Sequence, residues 1–276
     1  MADIRVIAEI GINHNGDIGI AKRLIDVAIG AGCSAVKFQK RTIDVVYTKE
    51  FLDSPRESPW GKTQRAQKEG LEFGREEYDA IDAYCREKGI PWFASAWDVQ
   101  SQRFLEKYDL PFNKVASAML THRPLLEAVA AEKKPTYIST GMSTYGDIDA
   151  AVAIFRGKGC PFTLMHTVST YPSEDSECNL LAIRSLAERY GCPVGYSGHE
   201  RGTLPSLLAA ALGAVAIERH ITLDKKMYGS DQSASLEPKE LGELVSALRA
   251  IPGILGDGER KVSEKEAAVA KKLRYW

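Results

Sequence analysis

The sequence predicts a single-domain α/β protein, a (β/α)8 TIM barrel over residues 1–276. Three observations carry that expectation. Short β-branched runs alternate with longer helical patterns along the whole chain, as βα units around a parallel sheet require. Eight runs of each kind can be found, and 276 residues is near the roughly 250 typical of such a barrel. The competing doubly wound sheet lacks its markers, since no G-x-G-x-x-G follows the first strand and no Walker loop occurs.

The first strand, 6–13, alternates Ile7, Glu9, Gly11 and Asn13 on one face. A carboxylate inside an otherwise apolar strand is rare unless paired, so Glu9 reads either as half of an internal salt bridge or as a working group. His14 follows in an NHNG turn and is either a functional residue or part of a plain loop that Asp17 closes by capping the helix over 18–30. The second strand, 35–40, turns Lys37 and Gln39 inward and leaves Val36 and Phe38 for the helix layer. A lysine there is neutralised by a carboxylate such as Glu9 or supplies charge to an anionic substrate. Residues 41–75 form an unusually long connection rich in Pro, Gly and charge, and loops of that length are usually lids or partner contacts. Trp60, Arg56 and Arg65 within it are candidates to close over substrate, with helix packing the alternative for Trp60.

Helices over 76–89 and 100–108 flank the third strand, 91–97, which carries Ser95. The fourth strand, 112–119, holds Lys114 and Ser117, whose spacing does not fit one strict face and calls for a bulge or strand end near Ala116. The helix over 123–133, the strand over 135–141 with Ser139, the helix over 147–156 and the strand over 162–168 continue the alternation, and Ser169 and Tyr171 follow the sixth strand. The last units pair a helix over 179–190 with a strand over 194–199, then a helix over 203–212 with a strand over 214–222, and a helix over 237–250 closes the ring. Residues 252–276 suffice for a packed tail.

Composition excludes several classes. The 36 basic and 37 acidic residues nearly cancel, so neither a nucleic-acid surface nor a membrane surface is expected. Five cysteines without a C-x-x-C pair indicate neither a disulfide framework nor a zinc knuckle and suit a reducing cytoplasm. The N-terminus lacks the apolar core of a signal peptide, and the longest apolar run is too short to span a bilayer.

The seventh strand ends in Gly195-Tyr196-Ser197-Gly198-His199-Glu200, which opens like a serine-hydrolase elbow but has histidine at the final glycine. Ser197 and His199 share one face of that strand, and Glu218, His220 and Thr222 share one face of the eighth. Adjacent strand ends therefore bring two imidazoles together at the barrel mouth, either as a divalent-metal site with positions left for water and substrate or as two unrelated histidines. Inward lysines, strand-end hydroxyls and a candidate metal suit a small phosphorylated anion beside a carbonyl substrate.

The segments AEIGINHNG, AVKFQK, FASAWD, NKVASAM, ISTGM, STYP, GYSGH, ERHITLD and SDQ occur in the order found in the sialic acid synthase family of phosphoenolpyruvate-condensing enzymes, which the chain resembles over its whole barrel. The resemblance implies condensation of phosphoenolpyruvate with an open-chain aldose, typically an N-acyl hexosamine such as N-acetylmannosamine. Water is consumed, and a 2-keto-3-deoxy acid and phosphate are released. Carried over by position, Lys37, Ser95, Lys114, Ser117, Ser139 and Ser197 form the phosphoenolpyruvate cradle, with Ser169 where many members have asparagine. The resemblance further makes His199 and His220 ligands of manganese or magnesium, Gln39, Tyr171 and Asp231 sugar contacts, and Glu9 a carboxylate at the reacting centre. Two departures stand out: Met119 replaces a glutamate of many members, and the chain stops before the antifreeze-like domain usual in bacterial members. Sugar recognition is then expected from the barrel's own loops, and a homodimer is expected. The alternatives are a related synthase acting on a sugar phosphate or sugar acid, and a non-catalytic sugar-binding barrel.

Overall fold

Eight parallel strands close on one another in sequence order in the computed structural model, which describes residues 4–276. They are β1 (Arg5–Gly11), β2 (Ala35–Lys40), β3 (Trp92–Ala96), β4 (Asn113–Val115), β5 (Thr136–Ser139), β6 (Phe162–Thr167), β7 (Val194–Gly198) and β8 (Ala216–His220). The outer ring consists of α1 (Ile18–Ala31), α2 (Arg75–Lys88), α3 (Val99–Leu105), α4 (Arg123–Ala131), α5 (Tyr145–Gly157), α6 (Ala182–Tyr190), α7 (Leu204–Ala211) and α8 (Pro238–Leu255). Each unit anticipated from the sequence is present. Local chemistry explains the boundaries: Asp17 accepts from the Gly19 and Ile20 N–H groups to start α1, and Thr144 with Asp147 forms the capping box of α5.

The expected irregularity of the fourth strand is a strand end. β4 stops at Val115, and a 3-10 turn over Ser117–Met119 carries Ser117 to the mouth. Met119 lies in the hydrophobic core and not on the cavity wall. The N-terminal end of the barrel is filled by Phe93, Phe112 and Tyr137, with Arg5 donating to the Tyr137 hydroxyl at 2.7 Å. Space for a ligand is left at the opposite end, where barrel active sites sit.

On the outer face of β8, Arg219 is fully buried and anchors the segment after β7. Its guanidinium donates to Glu200 Oε1 at 2.8 Å, to the Glu200 carbonyl at 2.6 Å and to the Gly202 carbonyl at 2.7 Å. Tyr196 donates to the other Glu200 oxygen at 2.9 Å. A buried pair fixes geometry more than it adds stability, and here, with both Glu200 carboxylate oxygens satisfied, it fixes the segment beginning at His199.

The long connection differs from a bare loop. It holds short helices over Ile43–Val46 and Lys49–Asp53, an antiparallel hairpin (Pro55–Ser58 with Gly61–Thr63) and a helix over Gln64–Leu71. Trp60 is a packing residue, not a lid. It stacks where a Gly70 β-carbon would sit 2.1 Å from its ring, and it meets Tyr228 edge-on at 5.7 Å. Arg65 is spent on Asp44 and Glu69. In the tail, a helix over Glu264–Leu273 has no buried residue.

Candidate active site

Inward side chains at the C-terminal strand ends enclose a cavity of about 220 Å³. This is below the ~300–1,000 Å³ of pockets for drug-sized ligands and suits small substrates. Strand register builds its floor: Glu9 is level with Lys37 and His220, Ser95 with Gln39 and Lys114, and Ser197 with Glu218. Lys37 Nζ lies 2.9 Å from Glu9 Oε2 and 3.7 Å from Glu218 Oε1, and it donates to Ser95 Oγ at 3.0 Å. Lys114 donates to Glu218 Oε2 at 2.9 Å, and Ser197 donates to Glu218 Oε1 at 3.1 Å. None of these six residues is more than 5% exposed, so each charge depends on its partners.

Burial opposes the charge on Lys37, but Glu218 and Glu9 outweigh it and hold the ammonium above the ordinary lysine range. Burial, abetted by Lys37, pulls Lys114 below that range despite Glu218. Burial also pushes the Glu218 carboxyl up, and Lys114 and Lys37 more than reverse it, so Glu218 sits well below the usual carboxylate range. The floor is two cations and two carboxylates in one coupled network.

Beside the floor, Ser117, Ser139 and Ser169 line one wall. The Gly141 N–H donates to Ser117 Oγ at 3.2 Å, while Ser169 Oγ is buried without a hydrogen-bond partner. A β-carbon on Gly141 would lie 2.3 Å from Ser169 Oγ and 2.9 Å from Ser117 Oγ, so only glycine lets the backbone come this close.

The opposite wall holds Gln39, Tyr171, His199 and His220. Gln39 donates to Glu9 Oε1 at 2.7 Å. The rings of His199 and His220 are 5.5 Å apart, and Tyr171 lies over His199 at 4.0 Å. His199 Nδ1 is 2.6 Å from the Val168 carbonyl, which can only accept, so Nδ1 carries the proton and Nε2 keeps its lone pair. Burial, then the neighbouring His220, lowers the His199 pKa to about 3, so the ring is neutral at neutral pH. His220 Nδ1 is buried without a hydrogen bond and lies 3.8 Å from Asp231 Oδ2. Among the described residues no three His, Cys, Asp or Glu side chains converge as a closed metal site. Two imidazoles, His199 neutral and His220 with an orphaned nitrogen, fit a divalent ion that keeps positions for water and substrate.

Of the residues that the family resemblance assigned to phosphoenolpyruvate, sugar or metal, Asp231 alone stands off the cavity wall, held by Ser230 Oγ at 2.7 Å behind His220. His14 is structural: it stacks on Phe73 at 3.8 Å and accepts the Gly16 N–H. Asn13 ties β1 to the segment after β8 through the Ile221 carbonyl and Ser235. The residue that sequence reasoning passed over is Glu218. Its signal was present, since alternation had placed it on the same face as His220.

Comparison with known proteins agrees with the fold. Residues 24–260 match the model of the NeuB family. This chain belongs to the NeuB family. N-acetylneuraminate-9-phosphate synthase of Mus musculus is 39% identical over 97% of this NeuB-family chain and 76% of its own length. N,N'-diacetyllegionaminic acid synthase of Campylobacter jejuni is 36% identical over 95% of the chain and 80% of its own length. The crystal structure of N-acetylneuraminic acid synthetase from Leptospira borgpetersenii, in complex with citrate, superposes with a TM-score of 0.87 at 34% identity, covering 100% of this chain and 94% of that one. The NeuB-family chain is thus an enzyme, a phosphoenolpyruvate-dependent sugar acid synthase of the transferase class, which sets aside the non-catalytic reading.

Proposed function

We propose that this NeuB-family enzyme condenses phosphoenolpyruvate with the open-chain form of an N-acyl hexosamine such as N-acetylmannosamine. Water is consumed, and the products are a sialic-acid-type 2-keto-3-deoxy acid and inorganic phosphate. The observation that supports this best is one small cavity with two buried lysines and a bank of serine hydroxyls facing two imidazoles. Relatives named as synthases of N-acetylneuraminate 9-phosphate and of diacetyllegionaminic acid point to the same class of product.

In this reading Lys37 and Lys114 offset the phosphate and carboxylate charges of phosphoenolpyruvate, and Ser95, Ser117, Ser139, Ser169 and Ser197 donate to its oxygens. Gln39 and Tyr171 hold the sugar, with Asp231 behind them. C3 of phosphoenolpyruvate attacks the aldehyde carbon, a water oxygen adds at C2, and the tetrahedral centre expels phosphate by breaking the C2–O bond. Glu9, 2.9 Å from Lys37, orients that water and takes its proton. His199 and His220 would hold manganese or magnesium, which when bound supplies Lewis-acid polarisation of the aldehyde oxygen.

Phosphate release from phosphoenolpyruvate, Mn²⁺ and a panel of aldoses is the direct test. Turnover with an N-acyl hexosamine is expected, with oxygen-18 from the C2–O bridge leaving in the phosphate; label retained in the keto acid, or no release with any aldose, would reject the reaction. Gly141→Ala is expected to raise KM for phosphoenolpyruvate by about tenfold, or ~1.4 kcal/mol, because the new methyl displaces Ser169 and Ser117. Steady-state kinetics with an unchanged phosphoenolpyruvate KM would remove those serines from the cradle.

A further inference from the structure

The ladder that pairs β7 with β8 ends one residue short of the two histidines. Its last register pair sets Arg219 level with Gly198, so His199 and His220 both lie beyond it. His220 is still held by the barrel: it is level with Glu9 of β1, and its carbonyl accepts the Leu236 N–H at 2.8 Å. His199 has left the strand and is tied toward β6, its ring through the Val168 carbonyl at 2.6 Å and its own carbonyl through the Ser173 N–H at 3.1 Å. The β7–β8 ladder therefore does not fix one imidazole against the other.

The residues next to the histidines make that connection. Glu200 follows His199, Arg219 precedes His220, and these two fully buried side chains meet as an ion pair at 2.8 Å. The planar guanidinium also donates to the Glu200 carbonyl at 2.6 Å, so it holds both the backbone and the side chain of the residue after His199. The carboxylate is fixed in turn by the Tyr196 hydroxyl of β7 at 2.9 Å and by the Ser206 hydroxyl of α7 at 3.1 Å. Gly198 belongs to the same arrangement. A β-carbon there would lie 2.4 Å from Glu200 Oε2, so glycine lets the carboxylate fold back against the strand.

We infer, resting on the reading of His199 and His220 as metal ligands, that Arg219 and Glu200 are positioning residues that set the separation of the two imidazoles, 5.5 Å between ring centres. With only two protein ligands and the other positions open to water and substrate, that spacing governs how firmly the ion is held. An apolar pair would fill the same space without the desolvation cost of two buried charges, so geometry rather than stability accounts for the pair. Neither side chain lines the cavity, so loosening the clamp acts on the ion and leaves the phosphoenolpyruvate cradle in place.

Two variants test this. Arg219→Lys keeps the charge and loses the fork, and Arg219→Met combined with Glu200→Gln removes both charges so that neither is left buried alone. Mn²⁺ titration followed by electron paramagnetic resonance is expected to show affinity about tenfold weaker in Arg219→Lys and about 100-fold weaker in the double variant, the range for residues that orient metal ligands. The Mn²⁺ concentration that half-activates phosphate release is expected to rise in parallel, with KM for phosphoenolpyruvate at saturating Mn²⁺ unmoved. Circular dichroism establishes folding, and Arg219→Lys, which leaves no charge unpaired, carries the test if the double variant does not fold. Wild-type Mn²⁺ affinity in the folded variants would overturn the clamp. So would a rise in KM for phosphoenolpyruvate as large as the loss of Mn²⁺ affinity, because it marks a general distortion of the site. Failure of the wild-type chain to bind Mn²⁺ would instead overturn the metal reading beneath it.

Discussion

Lys114→Met is expected to lower kcat/KM for phosphoenolpyruvate by about 10²–10³-fold, the usual effect of losing one preorganised charge contact. It is also expected to destabilise the fold by about 3–5 kcal/mol, because it leaves a buried charge without its partner. The reason lies in the floor network. Glu218 has Lys114 at 2.9 Å; without it the carboxylate keeps only Lys37 at 3.7 Å and the Ser197 hydroxyl. The pH dependence follows from the direction of the shift. Glu218 is held below its ordinary value in the folded wild-type chain, so its stabilisation is present above about pH 4.5 and is lost as pH falls toward 2. In Lys114→Met the same carboxylate is penalised while charged, so the stability gap from wild type is widest above pH 4.5 and closes on acidification. Urea denaturation at several pH values reads this directly. Adding Glu218→Gln to the variant is expected to restore most of the stability and none of the activity, separating the structural role of the pair from substrate binding. Full activity in Lys114→Met, or no recovery in the double variant, would mean that Lys114 neither binds substrate nor balances Glu218.

The same network shows which parts of this site could be read in advance. Period-two alternation places Glu9 and Lys37 inward, and the register makes them level neighbours, so that pair was legible from two strands alone. His199 and His220 were legible because one follows the last residue of β7 and the other ends β8. Glu218 shared the face of His220, but its importance depends on Lys114 from the far side of the barrel, and no local pattern reports a contact between residues 104 apart. The long connection was legible only as an anomaly. Its Pro, Gly and charges read as loop, whereas Thr48 and Thr63 cap two short helices and Trp60 fills the space above Gly70. Tertiary packing overrode local propensity there.

His220→Ala is expected to abolish turnover and divalent-ion binding while leaving the fold intact. His220 makes no hydrogen bond through Nδ1, so truncation breaks no such bond there and leaves a space beside Tyr171 and His199. A loss of about 1–2 kcal/mol, or a few degrees in Tm for a barrel of this size, is expected. His199→Ala should be less benign, because it also strands the Val168 carbonyl that its Nδ1 proton satisfies at 2.6 Å. Equilibrium dialysis with Mn²⁺ separates metal binding from catalysis: one ion per wild-type chain and none per His220→Ala chain is expected. Treatment with EDTA is expected to stop phosphate release in the wild type, and added Mn²⁺ or Mg²⁺ to restore it there but not in the variant. Burial keeps His199 neutral at neutral pH, which leaves its Nε2 lone pair available to a metal ion, since a protonated imidazole cannot ligate. Turnover that survives metal stripping, or wild-type Mn²⁺ binding by His220→Ala, would return the two histidines to a packing role and leave polarisation of the aldehyde to other groups in the cavity.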